Sequence, residues 1–165
     1  MKSYNLLLAL LICLASCSKP ESSESLFDQE EAENSINLAI SEWDLAWEQK
    51  DVELAINSYS DSCDWTNAFG DRVQSKQDLE QLLSIIFGLD FVMSGKNNYS
   101  ENDIEFVSNS TAIVRSQNIR TDQKWPDGSE MDDRIINHLR VFEVTDGKWL
   151  ITHHMISQAW PKQRG

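Results

Sequence analysis

The chain has 165 residues and carries 27 Asp and Glu against 14 Lys and Arg, a formal charge of −13. That balance disfavours nucleic acid and anionic membrane surfaces as partners, because both repel an acidic protein. With the first residues set aside, about 135 remain, enough for one domain with a real core.

Residues 1–16 read as a signal peptide: Lys2 is followed by an apolar run from Leu6 to Ala15 that is too short to span a bilayer. Leu14-Ala15-Ser16-Cys17 resembles the bacterial lipobox, in which cleavage before the cysteine leaves it as the lipidated N-terminus. Cys17 is then a membrane anchor, and Ser18 after it, rather than Asp, favours the outer membrane of the bacterial cell envelope. Residues 17–27, with SKPESSESLF after the cysteine, are too polar to order themselves and form a tether to a domain over 28–161. Cys63 is the one thiol left once Cys13 and Cys17 are accounted for, so no internal disulfide is expected. Its neighbours Asp61 and Asp64 oppose a thiolate, and a small buried apolar role is expected.

Asp28 with Glu31 makes a capping-box-like start, and Ile36, Ala39, Ile40, Trp43, Ala46 and Trp47 recur at helical spacing to about Gln49. Asp51 caps a second helix through VELAINSY, with Val52, Ala55 and Tyr59 on one side. A strand through SCDWTNAFGDRV puts Trp65, Asn67 and Phe69 on one face. Ser75 and Asp78 open a third helix, striped by Leu79, Leu82, Leu83 and Ile86, that ends near Gly88. From about Asn97 the pattern has period two with turn residues between runs, an antiparallel meander. Helices followed by strands give α+β, three N-terminal helices packed on one face of the sheet.

Asp146-Gly147 predicts a two-residue hairpin loop. Counting from it pairs Val144 with Trp149, Phe142 with Ile151, Arg140 with His153 and His138 with Met155, all on one face. That face has an apolar floor and a polar upper wall, as a small-molecule pocket requires. The other face carries Leu139, Val141, Leu150, Ile156 and Trp160, an apolar surface that predicts a homodimer. A single β-bulge would exchange the roles of His153 and His154. Adjacent strand residues point to opposite faces, so this pair does not make a metal site. No P-loop, GxGxxG, HExxH, GxSxG or paired-cysteine motif is present, and no cofactor is expected. Asp132-Asp133-Arg134 reads as a solvated rim.

The stretch AISEWDLAWEQKDVELAINSYSDSCDWTNAFGDRV, the following SKQDLEQLL and the terminal DGKWLITHHMI resemble the nuclear transport factor 2-like superfamily, in its SnoaL-like and ketosteroid-isomerase-like bacterial branch. The resemblance covers about residues 30–160 and implies a cystatin-like cone, with helices closing over a strongly curved antiparallel sheet and a pocket in the open end. It also implies a dimer. The catalytic Asp of the family's isomerases matches Asn67, and their oxyanion-binding Tyr falls by spacing at Trp43. A primary amide cannot act as that base. The expected function is therefore binding of a small, partly apolar ligand without catalysis, contacted by Trp43, Trp47, Trp65, Asn67, Phe69, His138, Arg140 and His153. A lyase, cyclase or isomerase with His153 as acid or base is the alternative, and a ligand-free homodimeric assembly module is the third.

Overall fold

A computed structural model describes residues 27–159; Cys17, the expected signal peptide, most of the expected tether, and Trp160 lie outside them. Asp28 caps α1 (Gln29–Gln49) by accepting the Glu31 N–H at 3.1 Å, and the predicted stripe from Ile36 to Ala46 is its buried face. The helix stops at Lys50 in the left-handed region, and Asp51 at once caps α2 (Val52–Ile56) through the Leu54 N–H. Five residues is shorter than the sequence pattern implies: Tyr59 leaves the helix and begins β1 (Tyr59–Thr66). After β2 (Arg72–Val73), Ser75 and Asp78 pair reciprocally at the start of α3 (Lys76–Phe87), whose Leu79, Leu83 and Phe87 are buried. A one-turn helix, α4 (Asp90–Met93), was not signalled by any stripe, being too short to have one.

Five strands complete the described residues: β3 (Lys96–Tyr99), β4 (Asp103–Ser108), β5 (Thr111–Thr121), β6 (Arg134–Thr145) and β7 (Lys148–Ala159). The run NNYSENDIEFV, residues 97–107, is thus divided between two strands, separated by residues 100–102 and both paired with β5. The sheet runs β2-β1-β7-β6-β5-β3. Its pairings are antiparallel except β1 with β7, which is parallel, so the expected wholly antiparallel sheet is corrected to a mixed one. Hairpin turns impose antiparallel pairing on neighbours in sequence, but β1 and β7 come from opposite ends of the domain and no turn constrains them. The fold is α+β, with the helices on one sheet face, Trp43 of α1 packing in the same core as Tyr59, Trp65, Phe142 and Ile151 of the strands. Each large apolar side chain buried this way contributes about 1.5–3 kcal/mol.

The hairpin decides which residues reach the interior. Asp146 and Gly147 both have positive φ (50° and 75°), the two-residue turn that Asp-Gly favours. Val144 faces Trp149 and Phe142 faces Ile151 as counted, but Val141 then pairs with His153, so Thr152 is one residue too many. This bulge, where the Thr152 hydroxyl donates to the Val141 carbonyl at 3.4 Å, turns every later side chain of β7 over. Arg140 consequently faces His154, and His138 faces Ile156. His154, Ile156 and Gln158 lie on the inner face, while His153 and Met155 lie on the outer one.

Candidate functional site

Helices and sheet enclose a cavity of about 540 Å³. Its floor is aromatic: Trp43 and Trp47, one turn apart on α1, lie with ring centroids 5.7 Å apart, and Trp65 from β1 completes the group. Trp43 and Trp65 are buried in the core, so core packing and pocket lining are served by the same rings. Ile136 and Ile156 from the hairpin and Phe91 and Val92 from α4 continue the apolar wall. The long β5–β6 connection closes one side of the mouth with Trp125 and Met131, and the β1–β2 turn closes the other with Phe69.

His138 lines the cavity, and behind it runs a chain of buried polar groups. His138 Nδ1 lies 2.9 Å from His154 Nε2, and His154 Nδ1 lies 2.5 Å from the Tyr59 hydroxyl. Arg140 reaches the His138 Nδ1 at 3.5 Å and donates to the Ser116 hydroxyl at 2.9 Å. Burial holds both imidazoles well below their usual pKa, and the Arg140 charge adds to that, so both are neutral at pH 7. Burial also raises the Tyr59 pKa, leaving a neutral phenol with a proton to donate. Asp44, which feels the Arg140 charge, is pushed up by burial to about 6.

The residues predicted for the pocket divide into three groups. Trp43, Trp47, Trp65 and His138 line it with their side chains among the inner groups. Asn67 and Phe69 lie at its mouth rather than on a strand, because β1 ends at Thr66. The Asn67 amide is spent on its own turn: Oδ1 accepts the N–H groups of Phe69 (2.9 Å) and Asp71 (3.0 Å), and Nδ2 donates to the Asp71 carboxylate at 2.8 Å. Phe69 is 73% exposed, with the Arg134 guanidinium 5.7 Å from its ring centre. Arg140 and His153 do not line the cavity. Arg140 is fully buried behind His138, and His153 is exposed on the outer face because of the bulge, its ring bonded to Thr152. The His153 acid/base assignment is corrected accordingly. Ile156 likewise moves from the expected dimer face into the cavity, and Met155 takes its place outside.

Several site residues escaped the sequence reading. Arg134, taken as rim, is half-buried and lines the cavity, donating through Nε to Gln158 at 2.9 Å. Its partner across the strands, Arg120, is 4% exposed and holds the carbonyls of Val92 and Ser94 at 2.7 and 2.8 Å. Asn118 and Tyr99 add polar atoms beside it. Period two along β5 was the available signal: Val114, Ser116, Asn118 and Arg120 share a face and pair with Arg140, His138, Ile136 and Arg134. Cys63 is fully buried, with its thiol pushed up to about 11 chiefly by burial, the inert role expected of it.

No family model and no curated protein matches the sequence. Solved structures do match. A ketosteroid isomerase-like protein from Erwinia carotovora atroseptica superposes with a TM-score of 0.67 at 18% identity, over 82% of this chain and 100% of the other. A protein with a cystatin-like fold from Caulobacter vibrioides gives 0.67 at 16% identity, over 79% and 92%. A type 2 hexachlorocyclohexane dehydrochlorinase (LinA) gives 0.69 at 11% identity, over 79% and 87%. The chain therefore has the cystatin-like, nuclear transport factor 2-like fold, shared by enzymes and by proteins without an assigned activity.

Proposed function

We propose that this is a lipid-anchored protein of the bacterial envelope whose cone binds a small, partly apolar ligand without transforming it. The observation that carries the reading is the cavity of about 540 Å³ with its aromatic floor, a volume suited to a compact ring system rather than to a peptide. Against catalysis stand the two positions that the isomerases use. Asn67 has no basic atom and its amide is occupied by the turn, and Trp43 is a core indole. The His153 alternative has no support, since that ring faces away from the cavity.

Native mass spectrometry of the purified protein tests the reading. A retained small molecule is expected in the wild type and absent from Ile156→Trp, in which the larger ring fills the cavity. Identical spectra without any adduct, together with no change in Trp fluorescence on adding naphthalene-sized compounds, would overturn it. The anchor predicts that Cys17→Ser releases the protein from the membrane fraction. Homodimerisation belongs to the same proposal: Leu139 (40% exposed) and Met155 (58%) face each other across the outer sheet surface, beside Val141. Leu139→Glu should then yield monomers in sedimentation.

A further inference from the structure

Among the described residues, four buried side-chain polar atoms have no hydrogen-bond partner: Nε1 of Trp47, Nε1 of Trp65, Nε of Arg120 and Nε of Arg140. All four are N–H donors; no buried side-chain acceptor is left over. Three of them belong to residues of the cavity wall. An unpaired buried donor costs about 1–3 kcal/mol, so a concentration of donors alone marks a place short of acceptors.

Charge tells the same story. The ion pairs among the described residues are Lys50–Asp90, Arg72–Asp64, Lys96–Asp122 and Arg115–Glu105, all with exposed cations. Arg120, Arg134 and Arg140, the inward-facing arginines, have no carboxylate at ion-pair distance, although acidic residues outnumber basic ones almost twofold. Neutral groups hold them instead: the Val92 and Ser94 carbonyls, the Gln158 amide and the Ser116 hydroxyl. Buried charges are ordinarily paired.

The polar chain behind the wall adds a further donor and fixes its direction. The Arg140 guanidinium, which can only donate, approaches His138 Nδ1, so that nitrogen is an acceptor, and His154 Nδ1 is left to accept the O–H of the neutral Tyr59. A neutral His154 then carries its proton on Nε2 and donates to His138 Nδ1, the same atom that Arg140 approaches as a donor. His138, also neutral, must carry its proton on Nε2, the nitrogen left to meet the cavity. It offers the ligand an N–H.

We infer that the β5–β6 wall of the cavity is a donor-only site for a carboxylate, or an equally compact anion, carried on an apolar ring-sized body. His138 Nε2–H supplies the hydrogen bond, and the Arg134 and Arg120 guanidinium groups of the same wall supply charge. The inference rests on the proposed binding function and names its ligand class. The exposed carboxylates of Asp71, Glu130, Asp132 and Asp133 at the mouth oppose an entering anion. Salt screens that repulsion over about 8 Å, whereas the buried guanidinium groups are screened much less.

Calorimetric titration of the purified full chain with 2-naphthoate, 2-naphthylmethylammonium and neutral 2-methylnaphthalene, at neutral pH and about 0.15 M salt, tests it. Naphthoate should bind at least tenfold more tightly than either other probe. His138→Leu and Arg134→Gln should each weaken naphthoate several-fold and leave 2-methylnaphthalene within twofold. Arg120 is not the variant of choice, since it holds two backbone carbonyls and its loss would disturb the fold. Equal binding of all three probes overturns the donor-only site while keeping the cavity reading; binding of none overturns both. Nitrogen-15 shifts give a ligand-free readout: His138 neutral and protonated on Nε2 supports the inference, and protonation on Nδ1 overturns it.

Discussion

Replacing Tyr59 with Phe removes one oxygen and leaves the ring. The residue is 1% exposed, so no water replaces the hydroxyl, and His154 Nδ1 loses its one hydrogen bond. Switching the His154 proton to Nδ1 does not repair the loss: Nδ1–H then has no acceptor, and His138 must turn its own Nδ1–H toward the Arg140 donor. Either way one buried polar group stays unpaired, which costs about 1–3 kcal/mol. With a urea m-value of roughly 1.5 kcal/mol/M, a loss of about 2 kcal/mol lowers the unfolding midpoint by about 1.3 M. Tyr99→Phe is the internal control, because that hydroxyl makes a longer, part-buried bond to the Asp44 carbonyl at 3.3 Å and should cost no more than about 1 kcal/mol. If Tyr59→Phe costs no more than Tyr99→Phe, the buried chain does not hold the protein together and its assigned direction loses its basis.

The same histidines make stability depend on pH. Their folded pKa values lie below 6.5, so below that pH the unfolded chain binds protons that the native state refuses, and stability falls with pH by up to about 1.4 kcal/mol per unit for each ring. Asp44, raised to about 6, works in the opposite sense between roughly pH 6 and 4, since the native state takes up its proton first. Arg140 and Tyr59, the other groups packed against the rings, do not change charge there. Unfolding free energies from urea titrations at pH 7.5, 6 and 5 should therefore fall, by a net of about 1–2 kcal/mol between the last two; a flat or rising series would contradict the burial of neutral imidazoles. Asn67→Ala should lower stability by about 1–2 kcal/mol through the lost turn bonds and leave 2-naphthoate affinity within twofold. A collapse of affinity at unchanged stability would restore Asn67 as a ligand contact.

What the sequence made legible was whatever depends on local chemistry. Asp28, Asp51 and Ser75 start the three main helices where their capping side chains predict, and Asp146-Gly147 makes the expected turn. The site was less legible because its residues are set by register. One extra residue at Thr152 exchanged His153 for His154, and Met155 for Ile156, across the sheet. Alternation shows that such residues take opposite sides and cannot say which side is which without the bulge. Arg120 and Arg134 were hidden for a related reason: their pairing across β5 and β6 follows from a connection whose length carries no pattern.

The place of β7 has a consequence for how the molecule comes into being. β1 and β2 have no strand to join except through β7, the last to be made, and β7 also carries His154, on which Tyr59 depends. The first and last thirds of the domain thus become native together. Contacts so distant along the chain slow folding, since a long loop must close before they repay its entropy. A nascent chain short of Lys148 holds its helices and Trp43 without the sheet centre that buries them, and stays open until synthesis has passed the final strand.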